Sequence, residues 1–288
     1  MLQVARLAPQ LLSDSRDLVV DFIRGQLNDD GGFKDRSGKS DLYYTVFGLE
    51  ALIALQADLP VPVQNYVCSF GSGDSLDFVH LTCLARCYAC LPGTSPEPWI
   101  RQAILNRVEG RRSLDGGYHE VSGSQHGTVY GCFLAKGAYQ DLGSELPNEG
   151  GVLHCLESSK TADGAFSNQP RASIGTTPAT AAAVTLLRTL GKPVEPSVGT
   201  WLLDRCYREG GFFAVPGAPM PDLLSTATAL HALAGMQVPL EGLTEACLNF
   251  VDSLWSSKGA FYGNWADDAL DCEYTYYGLL ALGHLSLW

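Results

Sequence analysis

Residues 209–233 read EGGFFAVPGAPMPDLLSTATALHAL, and two features of this stretch set the fold. It opens on an acidic residue, two glycines and an aromatic, Glu209 to Phe212, and about a dozen residues on Thr226 opens a helix rich in small residues and leucines. The same order recurs as DDGGF (Asp29 to Phe33) with Thr45, LDGGY (Leu114 to Tyr118) with Thr128, ADGAF (Ala162 to Phe166) with Thr177, and KGAF (Lys258 to Phe261) with Thr275. The threonines at 128, 177, 226 and 275 follow one another at 49-residue intervals, and a sixth, degenerate copy has Gly71, Gly73 and Thr82. A period of this length marks an array in which no unit buries its apolar face alone and neighbours must stack.

Each unit reads as helix, glycine-rich loop, helix. Asp14 or Ser15 can cap a first helix running to Leu27, and Gly31 and Gly32 turn the chain. A second helix begins near Asp41 and continues LYYTVFGLEALIALQ until Pro60 and Pro62 stop it. The pairs return as 99–108 with 127–140, 151–158 with 176–190, 197–207 with 222–236 and 243–255 with 271–285, and residues 63–91 supply the degenerate pair. Second helices such as TATALHALAGM and TYYGLLALGHL are apolar nearly all round, the pattern of a helix covered on both sides. Six of them in an inner ring, wrapped by the six first helices, give an all-α fold. It is one α/α toroid of about twelve helices over residues 1–288, with every inner helix starting at the same end of a central cavity.

Composition agrees. Charged residues make up 17% of the chain against about 25% in an average domain, and hydrophobic residues 46%, so a large apolar interior or an apolar cavity is expected. A net charge of −12 with no long run of Lys or Arg excludes a nucleic-acid partner, because a phosphate backbone is bound by clustered cations. No stretch approaches the roughly 20 apolar residues of a membrane span. The first residues lack an apolar core with a small-residue cleavage site and read as mature sequence. Nine cysteines, an odd number set mostly beside Leu and Ala, read as reduced thiols and a cytoplasmic location. His80, Cys83, Cys87 and Cys90 lie on one face of one helix and cannot converge on a metal, so no metal and no cofactor is expected.

The repeats resemble those of protein prenyltransferase β subunits and of class II terpene cyclases such as squalene-hopene cyclase, over essentially the whole chain. Pro221 to Leu233 carries the likeness most specifically. In the cyclases the matching helix start is Asp-x-Asp-Asp-Thr-Ala, whose central Asp protonates a polyene. In the prenyltransferases it is Pro-Asp-x-Cys, which supplies two zinc ligands, with a His from an Asp-x-x-His-Thr in the last repeat. Here Asp222 keeps the shared Asp, Leu224 stands in place of the acid or the Cys, and Tyr274 in DCEYT takes the place of the His. AVPGAPM (Ala214 to Met220) has no cation where the family holds a diphosphate. The resemblance therefore implies isoprenoid or other hydrophobic-ligand handling without zinc chemistry, and a helical partner subunit by analogy.

Asp41, Asp77, Asp222, Asp271 and Glu273 all fall at starts of inner helices, with His80 and His126 in related positions. An Asp there caps free N–H groups, so each also has a purely structural role. Glu273 lies two residues past the cap Asp271 and, in the cyclase frame, at the proton-donating Asp. A carboxyl in an apolar cavity, crowded by Asp271 or Asp222, has a raised pKa and suits a general acid. The expected catalytic residues are Glu273, Asp271 and Asp222. The expected substrate-binding residues are Asp41, Tyr44, Asp77, His80, His126, Trp265, Tyr274 and Tyr277. Tyr43, Tyr44, Tyr274, Tyr276, Tyr277 and Trp265 can line a cavity and stabilise a cation, or pack the seam between first and last repeats. Three functions fit: a non-standard acid-initiated cyclase, a catalytically inactive lipid-binding subunit, and an interaction scaffold with a filled cavity. A complement-type thioester domain lacks its Gly-Cys-Gly-Glu-Gln here.

Overall fold

The computed structural model describes residues 1–287. Two short helices, α1 (Leu2–Ala5) and α2 (Pro9–Leu12), precede the repeats. The hairpins then follow as α3 (Arg16–Arg24) with α4 (Leu42–Ala54), α5 (Pro62–Ser69) with α6 (Phe78–Cys90), and α7 (Pro98–Glu109) with α8 (Val129–Asp141). The second half gives α9 (Glu149–Ser158) with α10 (Thr177–Thr189), α11 (Pro196–Leu203) with α12 (Leu223–Gly235), and α13 (Thr244–Ser253) with α14 (Cys272–Leu285). Inner helices pack in the order α4, α6, α8, α10, α12, α14, and α14 returns against α4 to close the ring. The N-terminal pair is too short to carry a helical period, and sequence reading left it out. α1 rests on the C-terminal part of α14, where the bare backbone of Gly283 lets the Val4 carbonyl approach.

The Gly-Gly-aromatic phrases form one recurring device. Leu27 bridges Phe33, Arg112 bridges Tyr118, Lys160 bridges Phe166 and Cys206 bridges Phe212. In the last repeat the bridge extends to a hairpin of β1 (Trp255–Ser256) and β2 (Ala260–Phe261). The turn needs a left-handed residue, and Gly116 (φ 89°) and Gly210 (φ 97°) supply it. The aromatic is buried against the inner helix. A Cβ at Gly48 would meet the Phe33 ring, and one at Gly278 the Phe261 ring. Its backbone is pinned as well: the N–H groups of Phe33, Phe166 and Phe212 donate to the hydroxyls of Thr45, Thr180 and Thr226 at 3.0, 3.1 and 2.9 Å.

Those bonds correct the 49-residue register. Thr226 and Thr275 occupy the fourth position of their helices, as do Thr45 and Thr180, but Thr177 is the first residue of α10 and Thr128 is the cap of α8. The even spacing of four threonines thus falls on three structural positions. The caps, Asp41, Asp77, Thr128, Thr176, Asp222 and Asp271, give the true alignment, each accepting a backbone N–H of its own first turn.

Candidate functional site

Numbering each inner helix from its cap shows which face looks inward. Residues at the second, fifth, sixth and ninth positions, one stripe of a 3.6-residue helix, line a central cavity of about 690 Å³. At the second position stand Tyr43, Tyr130, Pro178, Leu224 and Glu273. The middle level is mostly apolar, with Phe47, Phe133, Leu134, Ala181 and Tyr277. The ninth position brings Glu50, Arg86, Thr185 and His231, and Lys136, Asp141 and Arg188 join them at the far end. A larger concavity of about 1080 Å³ lies outside that end, sharing Glu50, Arg86 and Asp141 but neither Glu273 nor the aromatic wall.

Glu273 is the one carboxyl at the upper level among the described residues. It sits in the first turn of α14, and its Oε1 accepts the Tyr43 hydroxyl at 2.6 Å, across the seam where the ring closes. Burial pushes its pKa up to about 7; the Tyr43 hydrogen bond opposes this, the Asp271 charge adds to it and the Arg36 charge subtracts. Tyr43 itself is pushed upward by burial and remains a neutral phenol. The site therefore holds a carboxyl partly protonated near neutrality, with a phenol fixed against one oxygen and aromatic rings beneath it.

The other acids expected at the site do not line the cavity. Asp271 accepts Tyr274 N–H at 2.8 Å and Arg36 Nε at 2.7 Å, while the rest of the Arg36 fork holds Asp267 at 3.2 and 2.9 Å. Burial raises its pKa and Arg36 pulls it back, so Asp271 serves as cap and as seam anchor. Asp222 is raised by burial too, but both its oxygens are taken by Ser225, the backbone N–H at 2.7 Å and the hydroxyl at 2.8 Å. Asp41 and Asp77 cap α4 and α6 and clamp His80 between them, with Nε2 3.0 Å from Asp41 and Nδ1 2.9 Å from Asp77. Burial works against a charged ring there, yet the two carboxylates win and raise the His80 pKa.

Of the expected substrate-binding residues, only Tyr277 lies on the cavity wall. Tyr44 is half-buried beside its cap Asp41. Tyr274 lies under the Arg36 guanidinium, 5.3 Å from its ring centre, and against Gly263. Trp265 is half exposed, its indole N–H on Ser253 Oγ at 2.8 Å, and His126 is exposed, 3.5 Å from Asp115. Tyr130, Phe47 and Phe133 were missed, although the cap-based register would have found them, because each falls on the inward stripe. Leu224 lines the wall at the level of Glu273, and no group of three or more His, Cys, Asp or Glu among the described residues is placed to hold a metal ion.

Six parallel inner helices around one central cavity, with Glu273 the one carboxyl among the described residues to line its upper level, define an α/α toroid. The chain belongs to the prenyltransferase alpha-alpha toroid domain family, which it matches over residues 7–83, 60–213 and 180–288. No curated protein is significantly similar in sequence. Among solved structures, a type II terpene cyclase from Scytonema bound to geranylgeranyl dihydroxybenzoate superposes with a TM-score of 0.65 at 12% identity over 97% of each chain. The same cyclase with its product merosterolic acid A gives 0.66 at 12% identity, over 96% of this chain and 97% of that one. A protein from Actinoplanes gives 0.65 at 17% identity over 95% and 98%. At such identities the likeness is one of fold. No helix among the described residues is long and apolar enough to cross a membrane.

Proposed function

We propose that this protein binds an isoprenoid chain in its central cavity and uses Glu273 as a general acid to start its cyclisation or rearrangement. The observation that carries the reading is a carboxyl with a pKa near 7, held by Tyr43, at one end of an aromatic-walled cavity. Family membership supports the substrate class, as does the fold shared with a cyclase solved with a geranylgeranyl substrate. The cavity volume lies inside the roughly 300–1,000 Å³ of small-molecule sites.

The chemistry balances without an oxidant or a cofactor. The Glu273 O–H proton goes to the less substituted carbon of a trisubstituted C=C bond, whose π electron pair forms the new C–H bond and leaves a tertiary cation. A neighbouring double bond attacks that cation to close a ring, loss of a proton to water ends the cascade, and Glu273 takes a proton back from solvent, so the net reaction is an isomerisation. Phe47, Tyr130, Phe133 and Tyr277 present the cavity's π systems to the migrating charge. The raised pKa trades acid strength for occupancy: an ordinary glutamate would be almost wholly ionised at neutral pH, whereas this one keeps a large protonated fraction.

The test is incubation with geranylgeraniol, geranylgeranoic acid and squalene in D₂O, followed by gas chromatography and mass spectrometry. Cyclised isomers carrying one deuterium are expected from the wild type and none from Glu273→Gln. Unchanged turnover in Glu273→Gln would remove Glu273 from the mechanism. Tight binding without conversion would leave the lipid-binding subunit as the function.

A further inference from the structure

The turn of the fifth repeat carries a pair of thiols on the outer side of the ring. Gly210 and Gly211 take φ values of 97° and 81°, and the turn over 207–211 lies flat on the first two turns of α13. A Cβ on Gly210 would stand 2.9 Å from the Cys247 backbone nitrogen, and one on Gly211 would meet the Phe250 ring. Cys206 bridges Phe212 at the base of this turn and is thereby brought onto Cys247, so that the two thiols hydrogen-bond to each other. The equivalent base positions hold Leu27, Arg112 and Lys160, with Trp255 in the last repeat. The pair therefore belongs to this repeat and not to the shared architecture.

In the neutral pair each sulfur has a partner on either side. Gly211 N–H donates to Cys247 Sγ, and Cys206 Sγ has the Tyr207 carbonyl at 3.5 Å. When one proton leaves, the charge settles on Cys247, where the Cys206 S–H and the Gly211 N–H both donate to it. The bond from Cys206 pulls the Cys247 thiol below its ordinary range against its burial, and the same bond, aided by burial, pushes the Cys206 thiol up. The two sulfurs then share the remaining proton and titrate as a unit. Access separates their roles: Cys247 is fully buried, whereas Cys206 is half-buried. Cys132 and Cys155 form a second hydrogen-bonded pair, but these are 0% and 1% exposed. The Cys155 sulfur is sealed under Gly117 and Gly127, where an added Cβ would come within 2.6 and 2.8 Å of it.

We infer that Cys206 and Cys247 form a redox-active dithiol that exchanges with low-molecular-weight disulfides, Cys206 supplying the attacking sulfur and Cys247 the resolving one. The pair starts with one proton given up to solvent. Cys206 Sγ attacks a sulfur of the incoming disulfide while its proton passes to the Cys247 thiolate; the reagent's S–S bond breaks, and the first released thiolate takes a proton back from solvent. The Cys247 sulfur then attacks Cys206 Sγ in the mixed disulfide and expels the second thiolate, which leaves with the Cys247 proton. Two protein thiols have lost two electrons, and the reagent has gained them as two free thiols. The new bond closes a loop of about 40 residues and ties the α11–α12 turn to α13. Neither cysteine lines the central cavity, so the inference stands apart from the isoprenoid reading.

The test is exchange of the native chain with oxidised glutathione at pH 8, quenched with acid, alkylated in denaturant and read by peptide mass spectrometry. The wild type is expected to form the Cys206–Cys247 disulfide, reversibly with dithiothreitol, while Cys132 and Cys155 are recovered fully alkylated. Exposed Cys68 should gain glutathione and shows that the reagent is active. Cys247→Ser should stop with glutathione on Cys206, and Cys206→Ser should leave Cys247 free, because access selects the sulfur that reacts first. The oxidised wild type should melt roughly 4–10 °C above the reduced one, a gain absent from both variants, whose unchanged reduced Tm shows that they fold. A wild type in which Cys206 stays free or stops at the mixed disulfide overturns the dithiol. Pairing of Cys132 with Cys155 in its place, or glutathione on Cys247 in Cys206→Ser, overturns the roles assigned from access.

Discussion

Replacing Glu273 by Gln should make the protein more stable at pH 8 while removing its acid. The carboxyl ordinarily titrates at 4.5 and here at about 7, chiefly because burial disfavours its charged form. Between those pH values the unfolded chain has lost this proton and the folded chain keeps it, so unfolding releases a proton and stability falls as pH rises. The loss is complete above about 7 and absent below 4.5. At 1.36 kcal/mol per pH unit the shift corresponds to about 3 kcal/mol. Because Glu273 faces a cavity that water can enter, the recoverable part is about 1–3 kcal/mol. Gln cannot ionise and its amide oxygen can still accept the Tyr43 hydroxyl, so it should recover that amount at pH 8 and about two-fifths of it at pH 5.5, above the isoelectric point of 4.8. The expected rise in Tm at pH 8 is about 3–9 °C, scaled from a few degrees per kcal/mol in domains of this size class. Thermal and urea unfolding of both proteins at half-unit steps from pH 5.5 to 8.5 would measure it. A stability gap that does not widen with pH, or a variant weaker than wild type at pH 8, would refute the burial of an ionisable acid at this position.

Tyr43→Phe removes a hydrogen bond that favours the ionised form, worth about 1.5–3 kcal/mol to a charged acceptor, so the Glu273 midpoint should climb by about one to two pH units. A ¹³C NMR titration of labelled glutamates, assigned with Glu273→Gln, would show it, and a fall would contradict the assignment. Arg36→Met leaves Asp267 and Asp271 without their shared cation at the ring seam and should cost about 1–2 kcal/mol in urea unfolding, its partial exposure limiting the loss. The same change should raise the Glu273 midpoint, since a nearby positive charge is gone. Gly48→Ala would place a methyl 2.5 Å from Phe33 Cδ1 and should cost about 1–3 kcal/mol, read as a lowered Tm. An unchanged Tm would mean that the aromatic plug is not seated on α4.

How far the sequence reached is clearest at the two ends of the chain. The helix–turn–helix order was legible because its causes are local: glycines where the backbone turns left-handed, prolines where a helix must stop, and Asp or Thr where a first turn needs a cap. Glu273 stood out in the sequence because a cap explains Asp271 and not a residue two places on. The register of the threonines was misread because similar residue types serve as cap, first residue and fourth residue in different copies. That error hid the inward stripe, and with it Tyr130, Phe47 and Phe133.

By itself the sequence determined that the chain forms six helical hairpins, that their second helices are buried on both sides, and that acids recur at one end of them. Only the tertiary structure decided which acid faces the cavity. Tyr43 and Glu273 are 230 residues apart in sequence and meet only because α14 packs back onto α4, a consequence of ring closure that no local pattern encodes. The packing of successive inner helices, α12 on α14, places His231 beside His284. A side chain's direction on an inner helix depends on its position modulo 3.6 residues, and its charge state on what the other five helices bring within a few ångströms.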